Sequence, residues 1–358
     1  MVILHVARVR NNLLSGADAI VPEHIKEQQK CETVGFVNLV DFEVPQIKNQ
    51  FLYEEGFKIS NLKEPFNKPD IIIFHQLYFP KFLSIAKEAK KQNIPYVIIP
   101  HGGMTKQAQS IKRLKKIAGN LLYFNKFMKG ASAIQYLSED EKSRAYKDFS
   151  CFVSTNGIHM PKEQKDEFNE NKIVFSYIGR YDTHVKGLDL LLEAVKTKEA
   201  LLRENNCMFN LYGPQHLEYY VKNVESLNSV MKEKEISDLF FINGPVLGEE
   251  KKNILLNTDV FIQCSRTEAM PMGILEAMSY GVPCLITKGT SLTGVLDKYD
   301  AGYSCQTTAE GIASAIEKAV LDKKNFKNKS QNAISLIEKE FLWDNVAKDA
   351  LERYKKLI

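Results

Sequence analysis

The sequence lacks the long apolar segments that mark membrane-spanning and exported proteins. No stretch approaches the ~20 apolar residues that a membrane-spanning helix requires. The apolar run near the N-terminus, MVILHVARVR, is too short for a signal peptide, and no small-residue cleavage site follows it. We therefore expect a soluble or peripheral protein in the cytoplasm, attached at most to the inner face of the cytoplasmic membrane.

Signatures of several other protein classes are also missing. The six cysteines are scattered, none forms a C-x-x-C pair, and no His or Cys spacing is typical of a zinc site. Buried free thiols in a reducing cytosol are the better interpretation. No G-x-G-x-x-G follows the first apolar run, which argues against a nicotinamide-dependent dehydrogenase.

Charge of one sign is not in large excess either. The formal net charge is +4, too slight to imply nucleic acid binding, and we expect no such partner. Hydrophobic residues make up 44% and charged residues 26%, which is an ordinary globular composition. A length of 358 residues suggests two domains better than one.

Short apolar runs alternate with amphipathic helical patterns along the whole chain. Runs of this kind are typical of strands buried on both faces, and their alternation with helices indicates βαβ units. The runs cover residues 2–7, 33–40, 70–75, 96–101 and 132–137 in the first half, and residues 172–179, 207–213, 239–244, 259–265 and 282–287 in the second.

The polar segment 155–171 has a turn at Asn156-Gly157 and separates the two halves. We predict an α/β protein with two Rossmann-like, doubly wound parallel-sheet domains that face a cleft, because ligands of open α/β sheets bind at the strand ends. The predicted domains are residues 1–160 and 161–340, with residues 341–358 forming a C-terminal helix.

The strongest motif is SRTEAMPMGILEAMSYGVPCLIT, residues 265–287. Pro271 suits the first turn of a helix, Glu268 precedes that helix, and Glu276 lies inside it, eight positions later. The N–H groups and positive dipole end of such a helix suit a diphosphate. A carboxylate at Glu276 is able to accept hydrogen bonds from two ribose hydroxyls. The alternative is that Glu276 is a surface residue of the helix and that Glu268 only compensates the helix dipole.

This segment resembles the E-x7-E signature of the family-four retaining glycosyltransferases, or glycosyl transferases group 1, whose fold is GT-B. The resemblance implies that Glu276 binds the nucleotide ribose and that Glu268 lies beside the donor sugar ring. It also implies that the backbone between them approaches the sugar and the diphosphate, at Met270, Pro271, Met272 and Gly273.

A second segment, SYIGRYDTHVKGLDLLLEA, resembles the family's G-R…K-G-x-x-x-L-L-x-A stretch. Gly179 ends a strand here, and the resemblance implies that Arg180 and Lys186 neutralise the diphosphate. Two fixed cations suit a leaving group that gains negative charge as the sugar bond breaks. The alternative is a pair of surface cations in a loop.

Shorter pieces resemble the family in the same order. LYGPQ (211–215) and FFINGPV (240–246) are similar to the strand ends that flank its nucleotide pocket, which implies that Gly244 and Val246 contact the base. The final FLWDNVAKDALERYKKL is similar to its C-terminal helix, which crosses back to the first domain.

The first half carries fewer matching residues. His101 follows an apolar run and precedes two glycines, and the family has such a histidine facing the donor sugar. A structural histidine is the alternative. In the first strand-to-helix loop, NNLLSGAD, the family has a glycine pair near the diphosphate, whereas this chain has Ser15-Gly16, so only Gly16 carries over.

No Asp-x-Asp occurs in the chain, so the metal-chelating GT-A arrangement lacks its usual ligands. Because Arg180 and Lys186 supply positive charge, we expect no metal and no other cofactor.

One stretch of the first half is both basic and apolar. Between Gly102 and Ser138 there are seven basic residues and no acidic one. Within residues 106–129, apolar residues recur at near-helical spacing among lysines and an arginine, which favours a helix drawn to an anionic membrane surface or to phosphate groups of an acceptor. The alternative is an amphipathic helix packed on its own domain.

Together these features predict a retaining transfer of a hexosyl unit from a nucleoside diphosphate sugar, with a UDP-sugar favoured on family frequency. The acceptor is expected to be a hydroxyl of a glycan or of a polyprenyl-diphosphate-linked saccharide, in bacterial surface-polysaccharide synthesis such as that of capsule or lipopolysaccharide. The alternatives are a GT-B nucleotide-sugar epimerase and a catalytically silent nucleotide-sugar-binding protein.

Overall fold

The computed structural model describes residues 1–12, 15–214 and 218–358. The chain folds into two compact units. The first comprises residues 1–157 together with residues 343–358, and the second comprises residues 158–342. Each unit is an α/β body built on one parallel sheet, so the predicted fold class is confirmed.

The sheet of the first unit has seven strands among the described residues, all parallel, in the order β3-β2-β1-β4-β5-β6-β7. Its central strands are buried along almost their whole length, as their continuous apolar runs predict. The strands are β1 (Val2–Ala7), β2 (Thr33–Asn38), β3 (Gln50–Leu52), β4 (Ile71–His75), β5 (Tyr96–Ile99), β6 (Ala133–Tyr136) and β7 (Cys151–Val153).

Helices cover both faces of this sheet. Thr105 and Ser138 cap two of them, since each hydroxyl accepts a hydrogen bond from a backbone N–H three residues later. The helices are α1 (Gly16–Gln29), α2 (Lys81–Lys91), α3 (Lys106–Ser110), α4 (Arg113–Gly119), α5 (Asn125–Gly130) and α6 (Glu139–Ser143), with a π-helical turn, Asn120–Phe124, joining α4 to α5.

The sheet of the second unit has six described strands, again all parallel, in the order β10-β9-β8-β11-β12-β13. One apolar core, around Phe175 and Phe209, lies on one face, and another, around Phe261 and Ile274, lies on the other. The strands are β8 (Ile173–Ile178), β9 (Cys207–Tyr212), β10 (Phe240–Asn243), β11 (Val260–Gln263), β12 (Cys284–Thr287) and β13 (Gly302–Cys305).

The helices of the second unit supply the apolar faces that close these cores. Among them, α7 packs against α13 and α11 packs against α14. They are α7 (Leu188–Thr197), α8 (Glu199–Glu204), α9 (Glu218–Glu233), α10 (Gly248–Leu256), α11 (Met272–Ser279), α12 (Thr293–Tyr299), α13 (Ala309–Leu321) and α14 (Phe326–Glu340).

The C-terminal helix α15 (Trp343–Lys355) belongs to the first unit and packs against α1. Trp343 meets the ring of His24 edge-on at 4.9 Å between centroids. The Tyr354 hydroxyl donates to Gln135 Oε1 at 2.6 Å. These contacts join the last helix to α1 and to strand β6. Within the described residues, no helix is long and apolar enough to cross a bilayer.

Candidate functional site

The two motifs of the second half meet where the strand order of its sheet reverses. Strand β8 pairs with β9 on one side and with β11 on the other, so the loops after β8 and β11 leave the same sheet edge side by side. Such a switch point is where open α/β sheets bind ligands. The Gly179–Gly187 loop follows β8, and the Cys264–Pro271 loop follows β11.

Gly187 is required where the first of these loops enters α7. Its φ of +66° lies in the left-handed region, and a Cβ built on it would come within 2.0 Å of the Cys264 carbonyl oxygen. Only glycine satisfies both conditions without strain. The motif Lys186-Gly187 therefore reflects backbone packing as well as charge, because the glycine brings the lysine loop against the end of β11.

The close packing places Lys186 against Glu268. The Lys186 ammonium is paired with Glu268 Oε1, and their side chains are only 12% and 17% exposed. The same oxygen accepts hydrogen bonds from Ser265 Oγ at 2.7 Å and from Gln263 Nε2 at 2.9 Å. Three donors thus fix one carboxylate oxygen, and the predicted cation and the predicted first glutamate lie together.

Arg266 ties the two loops together beside this pair. Its guanidinium makes two 2.7 Å bonds to the Asp189 carboxylate and a third, of 2.6 Å, to the His184 carbonyl. Its backbone N–H donates to the Val185 carbonyl at 2.9 Å. Hydrogen bonding to Asp189 raises the pKa of Arg266, so the guanidinium stays charged.

Glu276 lies on α11 and is paired with a lysine that the motifs did not indicate. The partner is Lys251 on α10. Pro271 is buried and immediately precedes α11, and Gly273 packs close to the ends of β8 and β11. The helix therefore begins at the switch point, with its N-terminal N–H groups at the sheet edge. Met270 and Met272 flank Pro271 and pack against the neighbouring core.

Arg180 follows β8 and has an exposed side chain. Its carbonyl accepts a 2.6 Å hydrogen bond from the hydroxyl of Tyr177, which is buried. Burial raises the pKa of Tyr177, so this phenol stays protonated and holds the Arg180 backbone. Gly179 lies against Gly213 at the end of β9, where a Cβ on Gly213 would approach the Gly179 carbonyl to 2.1 Å.

Gly244 and Val246 follow β10. Val246 is buried, and the Gly244 carbonyl accepts a hydrogen bond from the Gly213 N–H at 3.2 Å. The end of the predicted LYGPQ segment, Gln215, lies outside the described residues.

His101 and Gly16 lie in the first unit. His101 follows β5 in a left-handed conformation, with φ at +47°, and its Nε2 is 3.1 Å from His75 Nδ1. The next N–H, that of Gly102, donates to the buried Glu141 carboxylate at 2.6 Å. Gly16 is the first residue of α1; Leu13 and Leu14 of its loop lie outside the described residues.

Sequence reasoning missed five polar side chains that hold the predicted ones. They are Gln263, Ser265, Arg266, Asp189 and Lys251. Ser265 and Arg266 lie within the quoted motif, so their proximity to Glu268 was available as a signal. In the sequence, Gln263 looks like an interior strand residue, and Asp189 and Lys251 look like helix surface residues. Only their contacts with the motif residues, which the structure shows, mark these three as part of the candidate site.

Two Rossmann-like parallel sheets, each packed with helices, make up the GT-B fold. Residues 161–336 match the family model of glycosyl transferases group 1. These 176 of the 358 residues form a domain of that family.

Curated relatives are distant. A human phosphatidylinositol N-acetylglucosaminyltransferase component is 22% identical over 206 residues, which cover 57% of this chain and 41% of the relative. The putative teichuronic acid biosynthesis glycosyltransferase TuaC of Bacillus subtilis is 22% identical over 271 residues, which cover 72% and 63%. The chain thus spans less than two thirds of either relative.

Solved structures share the fold across the full length. HepE of Anabaena in complex with UDP has a TM-score of 0.76 at 15% identity, with 99% of this chain and 100% of that chain covered. Sucrose-phosphate synthase of Thermosynechococcus elongatus has a TM-score of 0.74 at 14% identity, with 100% and 99% covered.

The Arg266 clamp gives a stability prediction. Lysine keeps the charge but loses the forked contact with Asp189, so Arg266→Lys should lower the free energy of unfolding by about 1 kcal/mol. That corresponds to roughly 2–4 °C in the thermal midpoint, measured by circular dichroism. Arg203→Lys is the matched control, because Arg203 makes an exposed pair with Asp238. Equal shifts in both variants would show that the clamp is no stronger than a surface ion pair.

Proposed function

We propose that this glycosyltransferase moves a hexosyl unit, with retention, from a nucleoside diphosphate sugar to a hydroxyl of a glycan or of a polyprenyl-diphosphate-linked saccharide. The observation that carries the proposal is the contact of Lys186 with Glu268 at the switch point of the second sheet. A UDP-sugar is the favoured donor, in line with the UDP bound to Anabaena HepE. The role proposed for the B. subtilis relative supports a setting in bacterial surface-polysaccharide synthesis.

In this proposal α11 receives the nucleotide end of the donor. Glu276 accepts hydrogen bonds from the ribose hydroxyls, and Lys251 holds that carboxylate in place. The diphosphate approaches the N–H groups at the start of α11, beside Met270–Gly273. The backbone around Gly244 and Val246 contacts the base.

The remaining residues act on the bond that breaks. Lys186 and Arg180 stabilise the diphosphate as its charge grows, and Glu268, fixed by its three donors, orients the sugar. Displacement occurs on the front face, with the leaving phosphate assisting deprotonation of the acceptor. For His101 we keep the role that the family resemblance implies, a contact with the donor sugar. These cations take the place of a metal, so none is required.

A thermal-shift screen across UDP, GDP, ADP and their common sugars tests the donor assignment. A ligand that binds the native state stabilises it by mass action, so we expect UDP and UDP-sugars to raise the midpoint most. Glu276→Ala should weaken the binding of that nucleotide by about 1–3 kcal/mol, the scale of a hydrogen bond to a charged group.

Glu249→Ala is the matched control, because Glu249 is exposed on neighbouring α10 and pairs only with Lys252 among the described residues. Its nucleotide affinity should equal that of the parent. If Glu276→Ala also binds like the parent, ribose binding by Glu276 is wrong. A shift by no nucleotide would contradict the donor class, and conversion of the N-acetylglucosamine of UDP-N-acetylglucosamine into a different sugar, its epimer, would indicate an epimerase.

The two cations should matter more for rate than for binding. Arg180→Ala and Lys186→Ala should each lower kcat by about tenfold or more while nucleoside affinity changes less, because their partner charge develops in the transition state. Lys196→Ala, which removes a surface lysine paired with Glu199, is the control. Equal losses of affinity and rate would show that the two cations only bind the donor and do not stabilise the transition state. Turnover should persist in EDTA; loss that manganese restores would contradict the metal-free proposal.

The basic stretch of the first unit supports an acceptor held at a membrane. Its apolar side chains from the residue after α3, from α4 and from the π-helical turn are exposed: Ile111, Leu114, Ile117, Leu121, Leu122 and Tyr123, with Leu114 reaching 82%. Lys112, Arg113 and Lys115 are exposed among them. Phe124, Phe127 and Met128, by contrast, pack into the core.

An exposed apolar stripe edged by cations is the pattern of a helix that lies in an anionic bilayer surface. Each lysine or arginine near such a surface contributes about 1 kcal/mol. We propose that residues 106–129 dock on anionic lipid, where a polyprenyl-linked acceptor would be presented. A soluble acceptor and a docked protein partner are the alternatives that the experiment separates.

The parent should sediment with vesicles that contain anionic lipid, and less so at high salt, which screens charges beyond about 8 Å at physiological strength. Replacing Lys112, Arg113 and Lys115 with glutamine should abolish most of this binding. Lys116 is left in place, because its ammonium contacts the Ala108 carbonyl.

The matched control replaces Lys87, Lys90 and Lys91 of α2 with glutamine, which removes equal charge from an exposed helix face of the same unit. It should sediment like the parent. Equal losses in both variants would indicate only general attraction of a basic protein. If the parent itself does not sediment with anionic vesicles, residues 106–129 are not a membrane-docking surface.

A further inference from the structure

Three histidines of the first unit form a hydrogen-bonded series that ends at His101. His5 Nδ1 is 2.8 Å from His75 Nε2, and His75 Nδ1 is 3.1 Å from His101 Nε2. Adjacent rings are stacked, with centroids 5.1 and 5.4 Å apart. His5 and His75 come from adjacent strands β1 and β4, and His101 follows β5. At its inner end, His5 Nε2 is 3.0 Å from Gln28 Oε1 on α1.

The direction of these bonds is set at the inner end. Gln28 turns its oxygen to His5, with Oε1 3.0 Å from His5 Nε2, and its own buried Nε2 has no hydrogen-bond partner within the described residues.

An amide oxygen only accepts hydrogen bonds, and this determines which nitrogen of each imidazole ring carries the proton. His5 must carry its proton on Nε2, which leaves His5 Nδ1 to accept from Nε2–H of His75. His75 Nδ1 then accepts from Nε2–H of His101. The proton of His101 is therefore on Nε2, and its Nδ1 carries a lone pair.

The series holds only while each ring is neutral, since a protonated imidazole has no acceptor. Burial lowers the pKa of His5 to about 3, that of His101 to about 3, and that of His75 well below its ordinary value. Within the described residues, His101 Nδ1 has no hydrogen-bond partner. Glu141 holds the following turn through the Gly102 N–H.

We propose that Gln28, His5 and His75 are positioning residues that fix His101 as the Nε2–H tautomer, so that its Nδ1 presents a hydrogen-bond acceptor to a substrate hydroxyl. This inference rests on the proposed function for its last step, in which that hydroxyl belongs to the donor sugar. It states which kind of group His101 selects: a hydroxyl that donates, and not a phosphate oxygen or a ring oxygen.

Imidazole ¹⁵N–¹H correlation spectra of the full chain at neutral pH test the tautomer directly, because protonated and unprotonated ring nitrogens are distinguished. The His101 signal is assigned by its loss in His101→Asn. We expect the Nε2–H form for His101. The Nδ1–H form, or rapid exchange between both, would overturn the proposal whether or not any variant folds.

Gln28→Met keeps the side-chain length and removes the oxygen that starts the series. His101 should then populate both tautomers, and kcat/KM should fall by roughly 10- to 100-fold, by analogy with metal-bound histidines that lose the partner of their other ring nitrogen. Gln29→Met is the control, because neighbouring Gln29 bonds the backbone of Val34 and Lys48 instead. An unchanged His101 tautomer in Gln28→Met would show that Gln28 does not set it.

Donor analogues lacking one sugar hydroxyl separate this inference from the proposed function. If His101 accepts from a hydroxyl, one analogue should lose affinity in the parent but not in His101→Asn. If the spectra show Nε2–H and no analogue discriminates, the tautomer assignment stands and the sugar contact is wrong. If no nucleotide sugar binds at all, the proposed donor fails while the tautomer series is still tested by the spectra.

Discussion

The packing of Gly187 on the Cys264 carbonyl is the constraint on which the candidate site depends. It holds the loop after β8 against the loop after β11, and the pairing of Lys186 with Glu268 follows from it. A side chain at position 187 would push the loops apart by more than a hydrogen bond tolerates. The Arg266 bonds to Asp189 and to the His184 carbonyl reinforce the same junction from the outer side.

The interior of both sheets was predictable from the sequence, and most of the edges were not. Each of the ten apolar runs coincides with a strand, because a strand covered on both faces must be apolar throughout. The strands that no apolar run predicted are β3, β7 and β13, and all three lie at sheet edges. They are three or four residues long and mostly half-buried, so they need no continuous apolar run.

The candidate site shows the same division between local and tertiary signals. Glu268, Glu276 and Lys186 stand out because their motifs are contiguous in sequence, although their roles remain predictions. The pairing of Glu276 with Lys251 joins two helices, and no local pattern encodes it. The basic stretch was ambiguous for a related reason: helical spacing fits either an inward or an outward stripe. The π-helical turn resolves it, since Leu121 and Leu122 point to solvent whereas Phe124 enters the core.

The charges at the switch point bear on how a carboxylate would be kept beside the diphosphate of the proposed donor. Glu268 alone would repel an anionic donor, yet Lys186 lies against it and both are largely buried. Because the pair is neutral as a unit, the proposed diphosphate would meet the α11 N–H groups and the exposed Arg180 without net repulsion. In the proposed reaction, the Lys186 ammonium would already be in position as the leaving group gains charge and would need no further ordering. A cation that its own glutamate has preorganised would therefore favour the transition state over the bound donor.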